Sequence, residues 1–335
     1  MVDTEQPRVT VIATVLNEAA HVDRLLASLQ AQTRPPDEVV IVDGGSVDGT
    51  WERLLAARAR NPQLVAVSRP GANISAGRNE AVAHAEGPVI ACTDAGVTLD
   101  AGWLAAISAP FSHGAPWVAG LFVADPSGPF ETALGATTLP AASEIDGGSF
   151  LPSSRSVAFR KELWAAAGRY PEWLDFCEDL VFDLRMREVA GVPEFAPRAI
   201  ARFRPRPRLS AFMRQYYQYS RGDGKADLWV FRHLVRYSVY VGLAPTLLAL
   251  ALVVHAGWWL ALLAGAAAML MKPYRRLGRL WSDLTALQRV QSILWVPVLR
   301  IAGDVAKMVG YPVGLVWRLR RRPPDWRPSW GAGRM

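Results

Sequence analysis

The sequence predicts an α/β fold in which a mostly parallel sheet is flanked by helices and followed by a helical C-terminal part. Three observations support this prediction. Short apolar runs alternate with helical patterns up to about residue 200. Polar, glycine-containing stretches follow several of these runs, as at strand-to-helix connections. Beyond residue 236 the chain contains two long segments without a charged residue.

The apolar runs predict strands, and the patterns between them predict helices. Glycine and proline are typical helix stop signals, so the helix at 75–87 is expected to end at Gly87-Pro88. Strands separated by helices of this length form a parallel sheet with right-handed crossovers. Residues 157–172 are expected to form a strand and a helix of the scaffold. The other predicted strands are 9–16, 38–43, 63–69 and 88–95, and the other predicted helices are 19–32 and 51–60.

The two uncharged segments, 237–254 and 257–271, predict a membrane helical hairpin. As helices they would measure about 27 and 22 Å, against a hydrocarbon core of ~30 Å. Lysine and arginine residues flank the pair on both outer sides and are absent from the turn, so the positive-inside rule places both ends in the cytoplasm. The alternative is a buried hairpin in the core of a soluble protein.

Residues 292–322 predict an interfacial amphipathic helix. Arg300, Asp304 and Lys307 would share one helical face. Burying three charges in a bilayer would cost roughly 8–10 kcal/mol, whereas the leucine, isoleucine and valine residues would contribute only about 3–7 kcal/mol. We therefore expect this helix to lie in the interface with its polar stripe toward water and its basic tail near anionic headgroups.

The predicted organisation has four parts. An α/β domain at 1–205 is followed by a basic amphipathic connector at 206–236 and the hairpin at 237–271. A basic loop, the interfacial helix and a basic tail fill 272–335.

Composition and net charge indicate which surfaces the protein contacts and in which compartment it lies. A formal net charge of +7 with 51% hydrophobic residues indicates contact with anionic surfaces such as lipid headgroups or phosphorylated substrates. Cys92 and Cys177 are too few for a disulfide framework or a zinc site, so we expect reduced thiols. The N-terminus lacks the basic and apolar regions of a signal peptide, so the α/β domain is expected to stay in the cytoplasm.

The stretch DGGSVDGT at 43–50 indicates a ligand-binding turn. Asp43 ends a predicted strand and can accept hydrogen bonds from a base or ribose, and glycines at 44 and 45 permit close backbone approach. The stretch is not a dinucleotide fingerprint, and no phosphate-binding P-loop motif occurs in the chain. When the stretch is considered alone, the alternative interpretation is an ordinary loop of turn-forming residues.

Four stretches in order make a more specific pattern: TVLNE at 14–18, DGGSVDGT, the segment from Ser75 to Val97, and CEDLVFDLRMREVAG at 177–191. In this order and spacing they resemble the family 2 glycosyltransferases, which have the Rossmann-like GT-A fold. The resemblance covers about residues 8–225. A connector followed by a membrane hairpin looks most like the bacterial exopolysaccharide branch, of the succinoglycan-glucosyltransferase type.

The resemblance implies a nucleotide-diphosphate sugar donor carrying UDP or GDP. Asp43 would hold the uracil or ribose, and Asp94 corresponds to the first aspartate of the family's D-x-D motif. That aspartate would hold Mg²⁺ or Mn²⁺ on the diphosphate, since oxygen ligands suit these ions. The sequence departs from the motif, however, because Asp94-Ala95-Gly96 lacks the second carboxylate. The other implied donor contacts are Val15, Asn17, Glu18, Gly44, Arg78 and Asn79.

Glu178 and Asp179 match the family's Glu-Asp pair near the acceptor. Asp179 would be the general base, because inverting transfer needs a carboxylate that removes the proton of the acceptor hydroxyl. The structural alternative is that acids at a helix start simply complement the helix dipole.

The resemblance places acceptor and diphosphate contacts at Gln218, Arg221 and Arg155. Processive relatives carry Q-x-x-R-W, but here Gly222 replaces the tryptophan. Since sugars stack on aromatic faces, this change favours addition of a single sugar over polymer synthesis. The alternative is a basic helix that touches lipid headgroups.

The sequence therefore predicts a membrane-attached, inverting and non-processive glycosyltransferase with a lipid-linked acceptor, facing the cytoplasm of a bacterial cell. Possible acceptors are an undecaprenyl-diphosphate-linked saccharide, a bare polyprenyl phosphate, or another membrane lipid such as a glycolipid or hopanoid. A non-catalytic sugar-nucleotide-binding protein and a nucleotidyltransferase are the competing hypotheses. Nucleic-acid binding is not expected, because the arginines cluster beside apolar segments and no nucleic-acid-binding motif is present.

Overall fold

The computed structural model of the chain describes residues 7–327. The described residues fall into two units. The first comprises residues 7–123, Ala142–Phe203 and residues 324–327. The second comprises Ala124–Ala141 and Arg204–Pro323. Residues 1–6 and 328–335 lie outside the described residues. The prediction that the N-terminus is not a signal peptide concerns the first of these ranges in part, and the predicted basic C-terminal tail extends into the second.

Strands and helices alternate through the first half of the chain, as predicted. In chain order these elements are β1 (Val9–Val15), α1 (Val22–Gln30), β2 (Glu38–Asp43), α2 (Thr50–Arg58), β3 (Leu64–Ser68), α3 (Ile74–His84), β4 (Val89–Cys92), β5 (Val97–Leu99), α4 (Trp103–Ser108), β6 (Trp117–Ala124) and α5 (Pro129–Thr138).

Helices predominate in the second half. The elements are β7 (Val157–Arg160), α6 (Lys161–Ala166), α7 (Glu178–Ala190), β8 (Glu194–Phe203), α8 (Leu209–Ala226), α9 (Val230–Tyr237), α10 (Ala244–Val253), α11 (Trp258–Arg279) and α12 (Ala286–Arg321). The helix α5 belongs to the second unit together with α8 to α12.

The first unit is built on an eight-stranded sheet with the strand order β3-β2-β1-β4-β7-β6-β8-β5. The strands β3, β2, β1 and β4 are parallel, as the sequence predicts. The pairs β4–β7, β6–β7 and β5–β8 are antiparallel. The predicted α/β class is confirmed, and the sheet is mixed, with four parallel strands followed by strands that include these antiparallel pairs.

Burial explains the parallel half. All six residues of β2 are buried, which is why this strand appears as a continuous apolar run rather than an alternating one. The helix α3 lies directly against the sheet, since a β-carbon added at Gly77 would come within 2.8 Å of Thr14 Cγ2. This close contact brings Arg78, the next residue of α3, to the carboxyl edge of the parallel strands.

In the second unit, α8 and α12 cross with their backbones almost in contact. A β-carbon added at Gly314 would lie 2.0 Å from the carbonyl oxygen of Arg221. One added at Gly310 would lie 2.3 Å from the carbonyl oxygen of Tyr217, and one at Gly224 would lie 2.2 Å from that of Tyr311. Glycine is therefore required on both helices at this crossing.

Among the described residues, one continuous helical stretch has the length and composition of a membrane-crossing helix. It runs over Val230–Val253 and consists of α9, a π-helical segment and α10, with 6% of its apolar window buried. The second predicted hairpin segment forms the first part of α11, after a turn at residues 254–257. The membrane hairpin itself stays a prediction.

The polar stripe of α12 differs from the expected orientation toward water. Asp304 is only 4% exposed, and its Oδ1 accepts a hydrogen bond from Arg236 Nε of α9 at 2.9 Å. Lys307 Nζ lies over the ring of Tyr216 of α8, 4.8 Å from its centroid. The stripe contacts these neighbours because they offer an opposite charge and an aromatic face.

Candidate active site

The carboxyl ends of β1, β2 and β4 meet at one edge of the sheet because these strands are parallel neighbours. The register places Val15, at the end of β1, opposite Asp43, at the end of β2. Both residues are buried. The polar stretches that follow these strands therefore lie side by side, as the sequence predicts for a ligand site.

Two of these stretches are joined by hydrogen bonds. The Asn17 backbone N–H donates to Ser46 Oγ at 2.8 Å, and Asn17 Oδ1 accepts from the Val47 N–H at 3.0 Å. The Glu18 N–H donates to Thr50 Oγ1 at 2.8 Å. Asn17 has a φ of 56°, a left-handed conformation that asparagine tolerates well. Asn17 and Glu18 thus hold the two loops together, and their contact with a ligand stays a prediction.

Asp43 has one bonded and one unbonded carboxylate oxygen. Its Oδ1 accepts from the N–H groups of Gly45 and Ser46 at 2.6 and 2.7 Å. Its Oδ2 is buried and has no hydrogen-bond partner among the described residues. A buried acceptor without a partner is costly, so Oδ2 is suited to receive a donor group from a ligand.

The two glycines after Asp43 allow a close approach within the chain itself. A β-carbon at Gly44 would lie 3.0 Å from the carbonyl oxygen of Ala72, and one at Gly45 would lie 3.1 Å from Pro70 Cα. The neighbouring loop borders a cavity of about 370 Å³ lined by residues 69–73, Ala76 and Glu172. The loop after β3 therefore lies beside both glycines, and their predicted close approach to a ligand stays a prediction.

Arg78 connects two of the predicted acids. Its side chain is 2% exposed, with Nη1 donating to Glu178 Oε1 at 2.6 Å and Nη2 donating to Asp94 Oδ1 at 2.9 Å. The guanidinium also lies over the ring of Tyr170, 5.4 Å from its centroid. A residue of α3 thereby joins the end of β4 to the start of α7. The sequence places these residues in one site but does not predict this bridge.

Burial and neighbouring charges shift the pKa values of the three residues of the bridge. Burial lowers the pKa of Arg78, but Asp94 and Glu178 outweigh burial and the pKa lies well above its ordinary value. Burial raises the pKa of Asp94, but Arg78 and Arg155 outweigh it and the pKa lies below its ordinary value. Burial and the charge of Asp179 raise the pKa of Glu178 to about 7. At neutral pH, Asp94 is therefore ionised and Glu178 is near its titration point.

Asp94 is the only carboxylate of the shortened D-x-D motif. Its Oδ2 lies 3.8 Å from Arg155 Nε, and the side chain is 24% exposed. Within residues 7–327, no group of three or more histidine, cysteine, aspartate or glutamate side chains is arranged to hold a metal ion. Mg²⁺ is commonly held by one or two carboxylates plus substrate phosphates and water. Asp94 therefore fits such an ion as a single protein ligand.

The first two turns of α7 carry a third acid that the sequence interpretation missed. Asp179 is partly exposed and Asp183 is 2% exposed. Burial and the charge of Asp179 raise the pKa of Asp183 well above its ordinary value. The spacing of four residues from Asp179 indicates a shared helix face, and the apolar residues around position 183 could have identified the burial.

Asn79 takes part in a structural network. Its Nδ2 donates to the Tyr170 carbonyl oxygen at 2.9 Å and to Glu172 Oε1 at 3.0 Å. Its Oδ1 accepts from Trp164 Nε1 at 3.0 Å and from the Tyr170 N–H at 2.9 Å. The amide thus fixes the segment before α7, and its predicted contact with the donor stays a prediction.

The remaining predicted residues lie in different parts of the chain. Arg155, in the first unit, is stacked 5.0 Å from the ring centroid of Phe203, and its Nη1 donates to Ser153 Oγ at 3.0 Å. Gln218 and Arg221 lie on α8 of the second unit, both partly buried. Their predicted contact with the acceptor stays a prediction.

Comparison with known proteins finds a family match in the first part of the chain and one distant relative. Residues 10–156 match the family profile described as Glycosyl transferase family 2. The chain is 28% identical over 229 residues to the succinoglycan biosynthesis protein ExoA of Rhizobium meliloti (strain 1021), covering 64% of this chain and 68% of that protein.

Two solved structures share the fold. The first is the mannosyltransferase PcManGT from Pyrobaculum calidifontis in complex with GDP-Man and Mn²⁺, with a TM-score of 0.63, 20% identity, and coverage of 91% of this chain and 88% of that one. The second is GalNAc-T7 with UDP, GalNAc and Mn²⁺, with a TM-score of 0.51, 16% identity, and coverage of 66% and 48%. The sheet and its flanking helices thus have the GT-A fold.

Proposed function

We propose that this chain is a family 2 glycosyltransferase that moves a sugar from a nucleotide-diphosphate donor to a lipid-linked acceptor at the cytoplasmic face of a bacterial membrane. The observation that carries this proposal is the bridge from Asp94 through Arg78 to Glu178. It joins a residue implied in donor binding to the start of the helix that carries the implied base.

The donor in this proposal is a UDP-sugar or GDP-sugar. Both structural relatives were solved with a nucleotide or nucleotide sugar, GDP-Man in one and UDP in the other. Asp43 Oδ2 would accept a hydrogen bond from the base or ribose, because it is buried and lacks a partner among the described residues. The diphosphate would lie toward Asp94, with Arg155 beside it.

A divalent cation, Mg²⁺ or Mn²⁺, is proposed at Asp94 with the diphosphate oxygens. Both structural relatives contain Mn²⁺. When bound, such an ion neutralises the charge of the leaving diphosphate. Asp94 is ionised at neutral pH because its pKa lies below the ordinary value, so it is ready to act as a ligand.

The proposed chemistry is inverting transfer with one base. Asp179 would remove the proton of the acceptor hydroxyl while that oxygen attacks the anomeric carbon. Asp179 suits this role because it is partly exposed at the N-terminus of α7, whereas Glu178 and Asp183 are buried. Glu178 would position Arg78 through the 2.6 Å hydrogen bond.

The proposed acceptor is lipid-linked because apolar surface is concentrated in the second unit. Exposed large apolar side chains are frequent along α9 to α12, including Phe231, Val241 and Leu260. Such a surface fits a bilayer better than water. Gly222 in place of the family's tryptophan favours transfer of one sugar, in a pathway of exopolysaccharide, glycolipid or cell-envelope glycan synthesis.

A thermal-shift panel tests the proposal. The full chain in neutral detergent is heated with UDP, GDP, ADP or a UDP-sugar or GDP-sugar, with Mn²⁺ or with EDTA. We expect UDP or GDP to raise the midpoint with Mn²⁺ and EDTA to reduce that shift. Asp43→Asn should lose most of the shift, whereas Glu52→Gln, on the exposed face of α2, should retain it.

Absence of a shift with every nucleotide would contradict the proposed function. An equal shift for Asp43→Asn and wild type would contradict the role of Asp43. A shift that EDTA leaves unchanged would contradict the cation at Asp94.

A further inference from the structure

The second unit contains a group of charged side chains that the proposed reaction does not use. We name it the α9–α12 cluster. It consists of His233 and Arg236 on α9, Asp223 on α8, and Arg300, Asp304 and Lys307 on α12.

The hydrogen bonds define the charge of each member. Asp304 accepts from Arg236 Nε at 2.9 Å and from the Tyr240 hydroxyl at 3.1 Å. Arg236 Nη1 lies 3.0 Å from His233 Nδ1. Because arginine is always protonated, His233 Nδ1 must be the acceptor, and His233 Nε2–H donates to Asp223 Oδ2 at 3.2 Å. Asp304 is therefore the carboxylate that pairs with Arg236 and lies nearest to Arg300.

Two positively charged side chains of the cluster, Arg300 and Lys307, lack a complete set of acceptor or carboxylate partners. Arg300 Nε lies 3.4 Å from Asp304 Oδ2, yet this buried N–H has no hydrogen-bond acceptor among the described residues. Lys307 Nζ lies over the Tyr216 ring, and within residues 7–327 no carboxylate lies within ion-pair distance of it. Burial, Arg236 and Arg300 lower the pKa of Lys307 to about 8. The cluster thus carries surplus positive charge.

Exposed apolar side chains lie next to these cations along α12. Ile301, Val305 and Val309 are 47%, 40% and 55% exposed. Val239 and Val241, which follow α9, are 36% and 69% exposed. A ligand that matches this arrangement has a compact anionic group and a hydrocarbon chain.

We propose that the α9–α12 cluster binds the phosphate monoester headgroup of a long-chain lipid through Arg300 and Lys307. A phosphate monoester offers several acceptor oxygens and more negative charge than a phosphodiester, which suits a guanidinium and an ammonium without a full partner. Binding of such a lipid at the cluster does not depend on the proposed function. Only the assignment of this lipid as the sugar acceptor rests on the proposed function.

Titration of short-chain lipids into the full chain tests the proposal. The protein in neutral detergent is titrated with dioctanoyl phosphatidic acid, phosphatidylglycerol or phosphatidylcholine, and with inorganic phosphate, followed by calorimetry. Phosphatidic acid should bind saturably, and more tightly than the other three. Arg300→Gln and Lys307→Gln should each weaken it about tenfold or more. Arg320→Gln, which removes the same charge from the exposed end of α12, should not.

Equal binding by wild type and both cluster variants would overturn the proposal. If Arg320→Gln weakens phosphatidic acid binding as much as the cluster variants do, the lipid is attracted by the overall basic charge of the protein and the proposed cluster site is wrong. If phosphatidylglycerol binds as tightly as phosphatidic acid, the proposed preference for a phosphate monoester is wrong. If inorganic phosphate binds as tightly as phosphatidic acid, the proposed requirement for a lipid chain is wrong. Circular dichroism verifies that the variants fold. Lipid binding without any nucleotide response would contradict the proposed function while leaving this inference intact.

Discussion

Three acidic side chains lie in the first two turns of α7, and they differ in burial. Glu178 is buried against Arg78, Asp183 is buried one turn further on, and Asp179 between them is partly exposed. The pKa values of Glu178 and Asp183 are both raised, first by burial and then by the charge of Asp179. Asp179 is therefore the member of the three best placed to serve as a base for a substrate.

Asp179→Asn should abolish transfer while nucleotide binding persists. The amide keeps the shape but cannot take a proton, so the rate should fall about 10²–10⁴-fold. Initial rates with a radiolabelled donor, beside calorimetric titration of UDP or GDP, measure the two effects. Glu188→Gln, on the exposed end of the same helix, should change neither. Turnover at the wild-type rate in Asp179→Asn would refute the assignment.

Asp183→Asn should stabilise the protein at neutral pH. The folded-state pKa of Asp183 is raised above its unfolded value, so its protonated form favours folding at low pH. This contribution is lost as pH rises above the unfolded pKa of about 3.9, at up to about 1.4 kcal/mol per pH unit. Asparagine does not ionise, so the variant escapes that loss.

Thermal midpoints between about pH 4 and pH 8 provide the measurement for Asp183. The difference between variant and wild type should be small at the acidic end and grow as the pH rises. Glu188→Gln serves again as control and should follow wild type throughout. A constant difference across the pH range would mean that Asp183 is ionised in the folded protein.

At the residue scale, sequence alone could predict the acids at strand and helix ends but not their connections. Asp43, Asp94, Glu178 and Asp179 occupy positions that turn chemistry and the family resemblance both indicate. The role of Asn79 as an internal bridge depends on a segment 91 residues further along the chain. Such long-range pairing is invisible in a local pattern.

At the element scale, the crossing of α8 and α12 depends on glycine. Gly314→Ala should destabilise the second unit by about 1–3 kcal/mol, because the new methyl group would meet the Arg221 carbonyl oxygen and push the helices apart. Thermal unfolding of the full chain in detergent measures the change.

Gly278→Ala is the matched control for this crossing. Gly278 lies in α11 with nothing within 4 Å of its added β-carbon. Alanine should leave stability unchanged or raise it by about 0.5–1 kcal/mol, as expected for an open helical site. Equal destabilisation by the two substitutions would show that the close backbone contact at Gly314 is not decisive.

Elements were predictable where a single pattern determines them. The parallel strands are continuous apolar runs, and their boundaries agree with the structure within about three residues. The antiparallel strands were largely missed, since β5 has three residues and β8 contains four charged or proline positions that obscure its pattern. The polar stripe of α12 looks the same in sequence whether it faces water or charged neighbours.

At the scale of the whole molecule, the two units differ in surface chemistry. Polar loops at the sheet edge characterise the first unit, and exposed apolar helices characterise the second. The chain passes from the first unit to the second after Val123 and again after Phe203, and the predicted division at residue 205 stays a prediction. The sequence does not indicate that residues 124–141 group with the C-terminal helices, because that grouping depends on packing of α5 against α11 and α12.

We expect the carboxyl edge of the parallel strands to bind the activated sugar. A structure of the full chain determined with UDP or GDP and Mn²⁺ examines it most directly. We expect the base or ribose at Asp43 Oδ2 and the diphosphate beside Asp94. A nucleotide bound away from both carboxylates would show that this edge of the sheet is not the donor site.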